Sequence, residues 1–461
     1  MILNPPSLNT NKLARKFAAT ILINQRSIFP RRYPSDTSRK GLLHRLRTLL
    51  ILNALNMSSF FSTEEQEKIQ ELRLQQLFSN MYTQSPFWKK YLKKSGVSNP
   101  LSIRLKELSY LPLMSKDELR AIDPLDLYVD EKSEVIHRTT TGTTGEPFHT
   151  QWSAQDFQQW IPCYLRAIPE DIFPINLHTL RQQFFILTSG FQPKDWPLGH
   201  LARQWDIESI DSSRRYVVHG NASGLEGLAD EKSYYPFRLA LIFAASEHLS
   251  EQGREKLEKY FKAPVRRYYA MRDCGWIGWE CGYENNMLHI NTERFILETI
   301  DDETGKSVFN APGEIVITIL DSWRMPRIRY RTGDIGILRS SPCQCGITLP
   351  VIKFIGRIDE FLILPSGKKI PALQIQSAIW NIIMLTKRIQ IKQYSSNKIH
   401  AYLVPQPYAT APNPMLLSEK LKRRLQETIK ERLSIEVSIV SEVPEQKGEK
   451  HPFFVPIGGK K

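Results

Sequence analysis

The chain has 461 residues, 41% of them hydrophobic and 24% charged, with a formal net charge of +14. That length exceeds one hydrophobic core, so two or more domains are expected, and no apolar run reaches the roughly 20 residues that span a bilayer. Five cysteines (Cys163, Cys274, Cys281, Cys343 and Cys345) are no disulfide framework, and their odd number fits a reducing, cytoplasmic setting.

The excess charge is local. Residues 1–56 hold ten Lys/Arg and one acidic residue, Asp36, a net +9 that leaves only +5 for the rest of the chain. A nucleic-acid-binding reading therefore rests on this segment alone. Residues 1–57 read as a basic N-terminal extension, as a disordered arm, a transit-like leader or a membrane-surface helix. Its deletion is expected to leave the activity of the body intact.

From Ser62 to about Ser95, TEEQEKIQELRLQQLFSNMY carries helical spacing with acids in the first turn, and SKDELRA (115–121) is a second capped helix start. EVIHRTT then reads as a strand entering a hydroxyl-rich loop. Helical pieces from Asp156 to Leu165 and from Leu249 to Tyr260 alternate with QFFILTSG and RLALIFAAS, which suggests an α/β arrangement. GEIVITIL (313–320) alternates and reads as a strand. After Gly356 the rhythm changes to strand EFLIL, turn PSG, helix IPALQIQSAIW and hairpin IQIKQYSSNKIHAYLVP. A helix striped by Leu417, Leu421, Leu425, Ile429 and Leu433 and the strand IEVSIV follow. That is a β-α-β-β-α-β set of about 100 residues, a small domain in itself.

Six motifs carry chemistry. TTTGTTGEPF (139–148) is either a polar turn or a cradle of amides and hydroxyls for phosphate. Cys281 and His289 flank a hairpin turn, and Cys343 and Cys345 form a C-x-C pair. Three thiolates and an imidazole suit tetrahedral zinc, although buried thiols and an unrelated loop pair would leave the same pattern. RIRYRTGDIG (327–336) aims Asp334 from a tight Thr-Gly corner, either at paired hydroxyls or into an ordinary hairpin. In YYAMRDCGW, Asp273 either holds a hard cation or pairs with Arg272. GRIDEF (356–361) sits where a hinge would, and KGEKHPFF offers Lys450.

In this order the motifs resemble the adenylate-forming (acyl-CoA synthetase) superfamily, in its phenylacetate–CoA ligase and CapK-like branch. TTGTTGEP is similar to that family's phosphate loop S-S-G-T-T-G-K-P, and YYAMRD to its Y-G-x-T/S-E. PRIRYRTGDIG and GRIDEFLIL resemble its ribose-binding and hinge motifs. PCQCGITLPVI and LHINTERFILETIDDETGKSV are characteristic of the branch, and EKHPFF resembles the segment with the C-terminal catalytic lysine. The resemblance runs from residue 62 to 461.

The resemblance implies an α/β protein. A large domain of mixed β-sheets flanked by helices (58–358) precedes a small mobile α+β domain (359–461). It implies a two-step, AMP-forming ligase that activates a small-molecule carboxylate with Mg-ATP and passes the acyl group to CoA or to an amine or hydroxyl acceptor, with homodimerisation possible in principle. Thr140, Thr141, Gly142, Thr143, Thr144 and Gly145 would wrap the phosphates, and Tyr269 would stack near adenine. Asp273 would hold Mg²⁺, and Asp334 the ribose hydroxyls with Arg357 beside it. Lys450 would stabilise charge on the attacked phosphate, Asp359 would be the hinge, and Cys281, His289, Cys343 and Cys345 would bind structural zinc.

The chain departs from the pattern at Glu146, in place of the loop lysine, at Asp273, one methylene shorter than Glu, and at Ala270 and Glu449, in place of glycines. The absence of a glycine-rich acyl-pocket pattern favours the CapK-like side, linked to polysaccharide or secondary-metabolite pathways. A competing reading is a zinc-braced scaffold that binds nucleotide or carboxylate without turnover.

Overall fold

The computed structural model describes residues 12–31, 39–129, 132–140, 148–181, 185–187, 213–222, 225, 229, 238–245, 249, 251–301, 304–340, 343–358, 360–383, 385–406, 412–444 and 453–458. The chain divides into two compact units. The larger comprises Met1–Thr140, Phe148–Thr332 and Ile337–Lys353, and the smaller comprises Thr141–Pro147, Gly333–Gly336 and Phe354–Lys461.

The N-terminal segment requires a correction. Lys12–Ile23 and Arg39–Ser58 are helices. Their Ala18, Ile21, Leu22, Ile51, Ala54 and Leu55 are buried in one cluster with Ile69 and Cys163. Arg26 Nε binds Asp156 at 2.9 Å, and Arg73 Nη1 donates to the Leu22 carbonyl at 3.1 Å. Residues 12–31 and 39–58, expected as a disordered arm among other readings, are therefore part of the folded unit. Charge averaged over the whole segment hid apolar positions three and four residues apart, which alone decide burial.

The helix Thr63–Gln84 begins at a reciprocal Ser62/Glu65 capping box. It stops at Ser85 because Pro86 opens the next helix, Pro86–Lys94. Lys116–Ala121 starts in the same way, from Ser115 and Glu118.

Strands β1 (Val135–Thr140) and β2 (Phe148–Ser153) pair antiparallel with Thr140 opposite Phe148, so a two-stranded stem bounds residues 141–147. Among the described residues ten strands form one sheet. They are β3 (Phe185–Leu187), β4 (Arg215–Asn221), β5 (Arg238–Ala245), β6 (Val265–Met271), β7 (Gly275–Glu280), β8 (Leu288–Ile290), β9 (Phe295–Ile300), β10 (Pro312–Ile319), β11 (Tyr330–Arg339) and β12 (Val351–Arg357). Their order is β3-β4-β5-β6-β7-β8-β12-β11-β10-β9. Neighbours from β3 to β6 run parallel, whereas β6-β7, β7-β8, β8-β12 and β10-β9 are antiparallel.

One expected strand is present and one expected corner is not. GEIVITIL is buried on both faces, and its polar members are satisfied there. Glu314 accepts from Arg331 Nε at 2.7 Å, and Thr318 Oγ1 accepts from Arg329 N. RIRYRTGDIG contains no hairpin corner. Tyr330–Arg339 is one strand in which burial alternates residue by residue, and Gly333 absorbs the irregularity at φ +73°.

In the smaller unit β13 (Phe361–Ile363) and β14 (Lys369–Pro371) form a hairpin. The strands β15 (Thr386–Ser395), β16 (Lys398–Pro405), β17 (Ser434–Ile439) and β18 (Phe454–Val455) make a sheet in the order β17-β16-β15-β18. The helix Pro414–Ile429 buries Leu417, Leu421, Leu425 and Ile429, with Leu433 packed at the edge of the same core.

Candidate functional site

The sheet brings the four predicted soft ligands together. β7 and β8 pair Trp279 with His289, so Cys281, one residue beyond β7, lies close to His289 across the hairpin. β12 pairs Val351 with His289 from the other side, which brings in the preceding segment with Cys343 and Cys345. The ligand atoms of Cys281, His289, Cys343 and Cys345 all lie within 4.8 Å of one another. Cys281 Sγ and Cys343 Sγ are 3.6 Å apart, and Cys345 Sγ and His289 Nε2 are 3.3 Å apart. A tetrahedral ion with bonds of about 2.3 Å to sulfur requires S–S edges near 3.8 Å, so the donor set fits zinc in number, softness and spacing.

The surroundings orient these ligands. His289 Nδ1 lies 3.3 Å from the Leu349 carbonyl, which fixes the proton there and leaves Nε2 facing the sulfurs. The Ile347 amide donates to Cys345 Sγ at 3.4 Å. A hydrogen bond from Cys345, opposed by burial, holds the Cys281 thiol well below the usual range.

Beneath the hairpin, buried Glu280 accepts from Arg254 Nη2 at 3.0 and 2.9 Å, from the Arg267 amide at 2.8 Å and from the Asn286 amide at 2.8 Å. It ties the strand end that carries Cys281 to the helix Glu251–Phe261. Nothing in the sequence marked Glu280, because its partners come from three separate stretches.

Asp273 follows β6 and is 1% exposed. Its Oδ2 accepts from Tyr330 Oη at 2.7 Å and faces Lys116 Nζ at 3.6 Å. Burial and the neighbouring carboxylate keep the Tyr330 hydroxyl protonated, far above the usual phenol range. Arg272 does not carry this carboxylate's pairing; its Nη1 donates to the Thr139 carbonyl at 3.0 Å, near the end of β1. Lys116 is a residue the sequence reading passed over, since SKDELRA signalled only a helix start. Tyr269 lies buried in β6, its hydroxyl 3.6 Å from Met271 Sδ.

Asp334 lies in β11, and Arg357 Nη1 donates to its Oδ1 at 2.9 Å. A Cβ on Gly333 would stand 3.0 Å from Arg357 Nη2, so the glycine leaves room for the guanidinium. Ile358 N donates to the Gly333 carbonyl at 2.8 Å, which holds the end of β12 against β11. Thr140 closes β1. Thr141, Gly142, Thr143, Thr144, Gly145, Glu146, Asp359, Glu449 and Lys450 lie outside the described residues. Cys163 and Cys274, read as core residues, are buried.

No family model matches the chain. It is 25% identical over 349 residues to the phenylacetate–coenzyme A ligase of Thermus thermophilus, covering 71% of this chain and 78% of that protein. It is 22% identical over 418 residues to protein CapK of Staphylococcus aureus, covering 84% and 88%. A crystal structure of a 2-hydroxyisobutyryl-CoA ligase in the postadenylation state superposes with a TM-score of 0.69 at 16% identity, covering 87% of this chain and 91% of that one. That likeness shows the fold.

Fold and relatives together define an adenylate-forming ligase of the acid–thiol type. Within that class the chain is similar to phenylacetate–CoA ligases and to CapK. Among the described residues no helix is long and apolar enough to cross a membrane.

Proposed function

We propose that the chain activates a small carboxylate with Mg-ATP, forming an acyl-adenylate and pyrophosphate, and then transfers the acyl group to the thiol of CoA or to another acceptor. The observation that carries this reading is the Asp334–Arg357 pair. A carboxylate fixed by a 2.9 Å charge-assisted hydrogen bond keeps its other lone pairs in place for vicinal hydroxyls such as those of a ribose. The relatives, named as CoA ligases, support the reaction class.

In this reading Asp273 holds Mg²⁺, with Tyr330 and Lys116 orienting its carboxylate. Tyr269 flanks the base. The amides and hydroxyls of residues 140–145 receive the β- and γ-phosphates, and Lys450 stabilises the charge that develops as the substrate carboxylate attacks the α-phosphate. Asp359 is the hinge between half-reactions. Cys281, His289, Cys343 and Cys345 hold a zinc ion, which would brace the sheet and take no part in the chemistry.

Incubation with ATP, magnesium and a mixed carboxylate panel, followed by mass spectrometry after hydroxylamine trapping, tests the reading. AMP, pyrophosphate and an acyl hydroxamate are expected. Formation of ADP and phosphate would exclude an adenylate. Bound ATP and zinc with no product from any acid would favour the non-turnover scaffold, which Glu146 in the phosphate loop makes a specific alternative.

A further inference from the structure

We infer that the N-terminal helices Lys12–Ile23 and Arg39–Ser58 form a docking surface for an anionic lipid bilayer, a property separate from the ligase chemistry. The inward faces of both helices are committed to the core through Ala18, Ile21, Leu22, Ile51, Ala54 and Leu55, and the helices pack on one another. Away from that core, Arg39–Ser58 exposes Leu42, Leu43, Leu46 and Leu50 at 46, 47, 44 and 39%. Leu42, Leu46 and Leu50 recur every four residues, so they form one stripe about 12 Å long on the water-facing side. Leu13 and Phe17, four residues apart on the other helix, are 75 and 63% exposed. Single exposed apolar residues are ordinary, but stripes of them mark a contact surface.

Charge identifies the occupant. Neither helix contains an acidic residue. Lys12 and Lys16 are exposed beside Leu13 and Phe17, and Arg45 and Arg47 flank the leucine stripe. Arg15 and Arg26 are already neutralised by Glu65 and Asp156. A second copy would bring the same cations against these, a like-charge juxtaposition that disfavours self-pairing. A bilayer rich in anionic headgroups complements both features at once, taking leucine side chains into its interface and lysine and arginine onto its surface. The helices lie on such a surface and do not cross it, because their other faces are packed against the protein.

Vesicle flotation of the full chain tests this. The chain should float with vesicles containing about one third phosphatidylglycerol in phosphatidylcholine, and not with phosphatidylcholine alone. Added salt should weaken the binding as it screens headgroup charge. Leu46→Glu/Leu50→Glu should weaken binding at least about tenfold with the circular dichroism spectrum and Tm unchanged, since both side chains already face water. Arg45→Gln/Arg47→Gln should abolish the preference for phosphatidylglycerol. Failure to float, equal flotation of wild type and the leucine variant, or a dimer in sedimentation equilibrium that the leucine variant dissolves would each overturn the inference. Should the glutamate pair unfold the protein, Leu46→Gln/Leu50→Gln gives the same comparison.

Discussion

Lys116 Nζ stands 3.6 Å from Oδ2 of Asp273, the oxygen that also accepts the Tyr330 hydroxyl at 2.7 Å. A carboxylate so deeply buried requires polar partners. In the proposed reaction this carboxylate would hold magnesium. Asp273→Asn is expected to lower pyrophosphate exchange by about 10²-fold or more. Lys116→Met should raise the KM for ATP about tenfold with a smaller change in kcat, and Lys116→Arg should restore part of it. A Lys116→Met enzyme with unaltered KM would remove Lys116 from the site.

The Asp334–Arg357 pair makes a separate prediction. Arg357→Leu leaves the carboxylate without its 2.9 Å donor. A lost hydrogen bond to a charged group is worth about 1.5–3 kcal/mol, so nucleotide affinity should fall by one to two orders of magnitude. Calorimetric titration with a non-hydrolysable ATP analogue measures this without turnover. Unchanged affinity would mean that the pair serves only to join β11 and β12.

Metal content tests the cysteine–histidine cluster. Purified protein is expected to carry one equivalent of zinc, measured by inductively coupled plasma mass spectrometry. Cys345→Ser should lose it and drop the Tm by about 5 °C or more, as expected for a loss of a few kcal/mol from a large unit. Wild type stripped by a strong chelator should show the same Tm, and zinc should restore it. Metal-free protein of undiminished Tm would show that the four side chains merely pack together.

Two buried histidines are expected to make the larger unit sensitive to acid. Burial, then Arg47 and Arg45, push His44 down to about 4, and burial pushes His219 down to about 3. Below the ordinary value of 6.5 the unfolded chain takes up protons that the folded chain refuses. Stability therefore falls as pH drops from 6.5 toward 4, by up to about 1.4 kcal/mol per pH unit for each histidine. His44→Gln, which cannot titrate, should flatten the decline of Tm between pH 6.5 and 5. An identical slope in that variant would assign the acid sensitivity elsewhere.

The N-terminal helices should prove indispensable to the fold. Leu55 is fully buried beside Ile51 and Ile69, so Leu55→Ala is expected to cost about 2–5 kcal/mol in urea unfolding. Removal of residues 1–56 should yield insoluble or strongly destabilised protein. A deletion protein with native Tm and activity would restore the view of a dispensable arm.

What was legible in the sequence was local. Capping at Ser62 and Ser115, the apolar stripe from Leu417 to Ile429 and the hairpin between Cys281 and His289 each depend on neighbours a few residues apart, and each was read correctly. What escaped depends on distant partners. Lys116 meets Asp273 across 157 positions and Tyr330 meets it across 57, so neither contact leaves a periodic trace. The Thr-Gly corner was misread because Gly333 was taken as a turn residue, whereas it lies within β11 and makes room for Arg357. The packing of the N-terminal helices into the core was missed because net charge describes a segment's average, and burial follows its pattern.

Carboxylate-dependent ATP–pyrophosphate exchange, run over a panel of aryl, acyl and amino acids with wild type and Lys450→Ala, bears most directly on the central claim. The account predicts exchange with at least one acid and its loss by about 10²-fold or more in the variant. Wild-type protein that binds ATP yet exchanges pyrophosphate with no acid, or a Lys450→Ala enzyme as active as wild type, would contradict it.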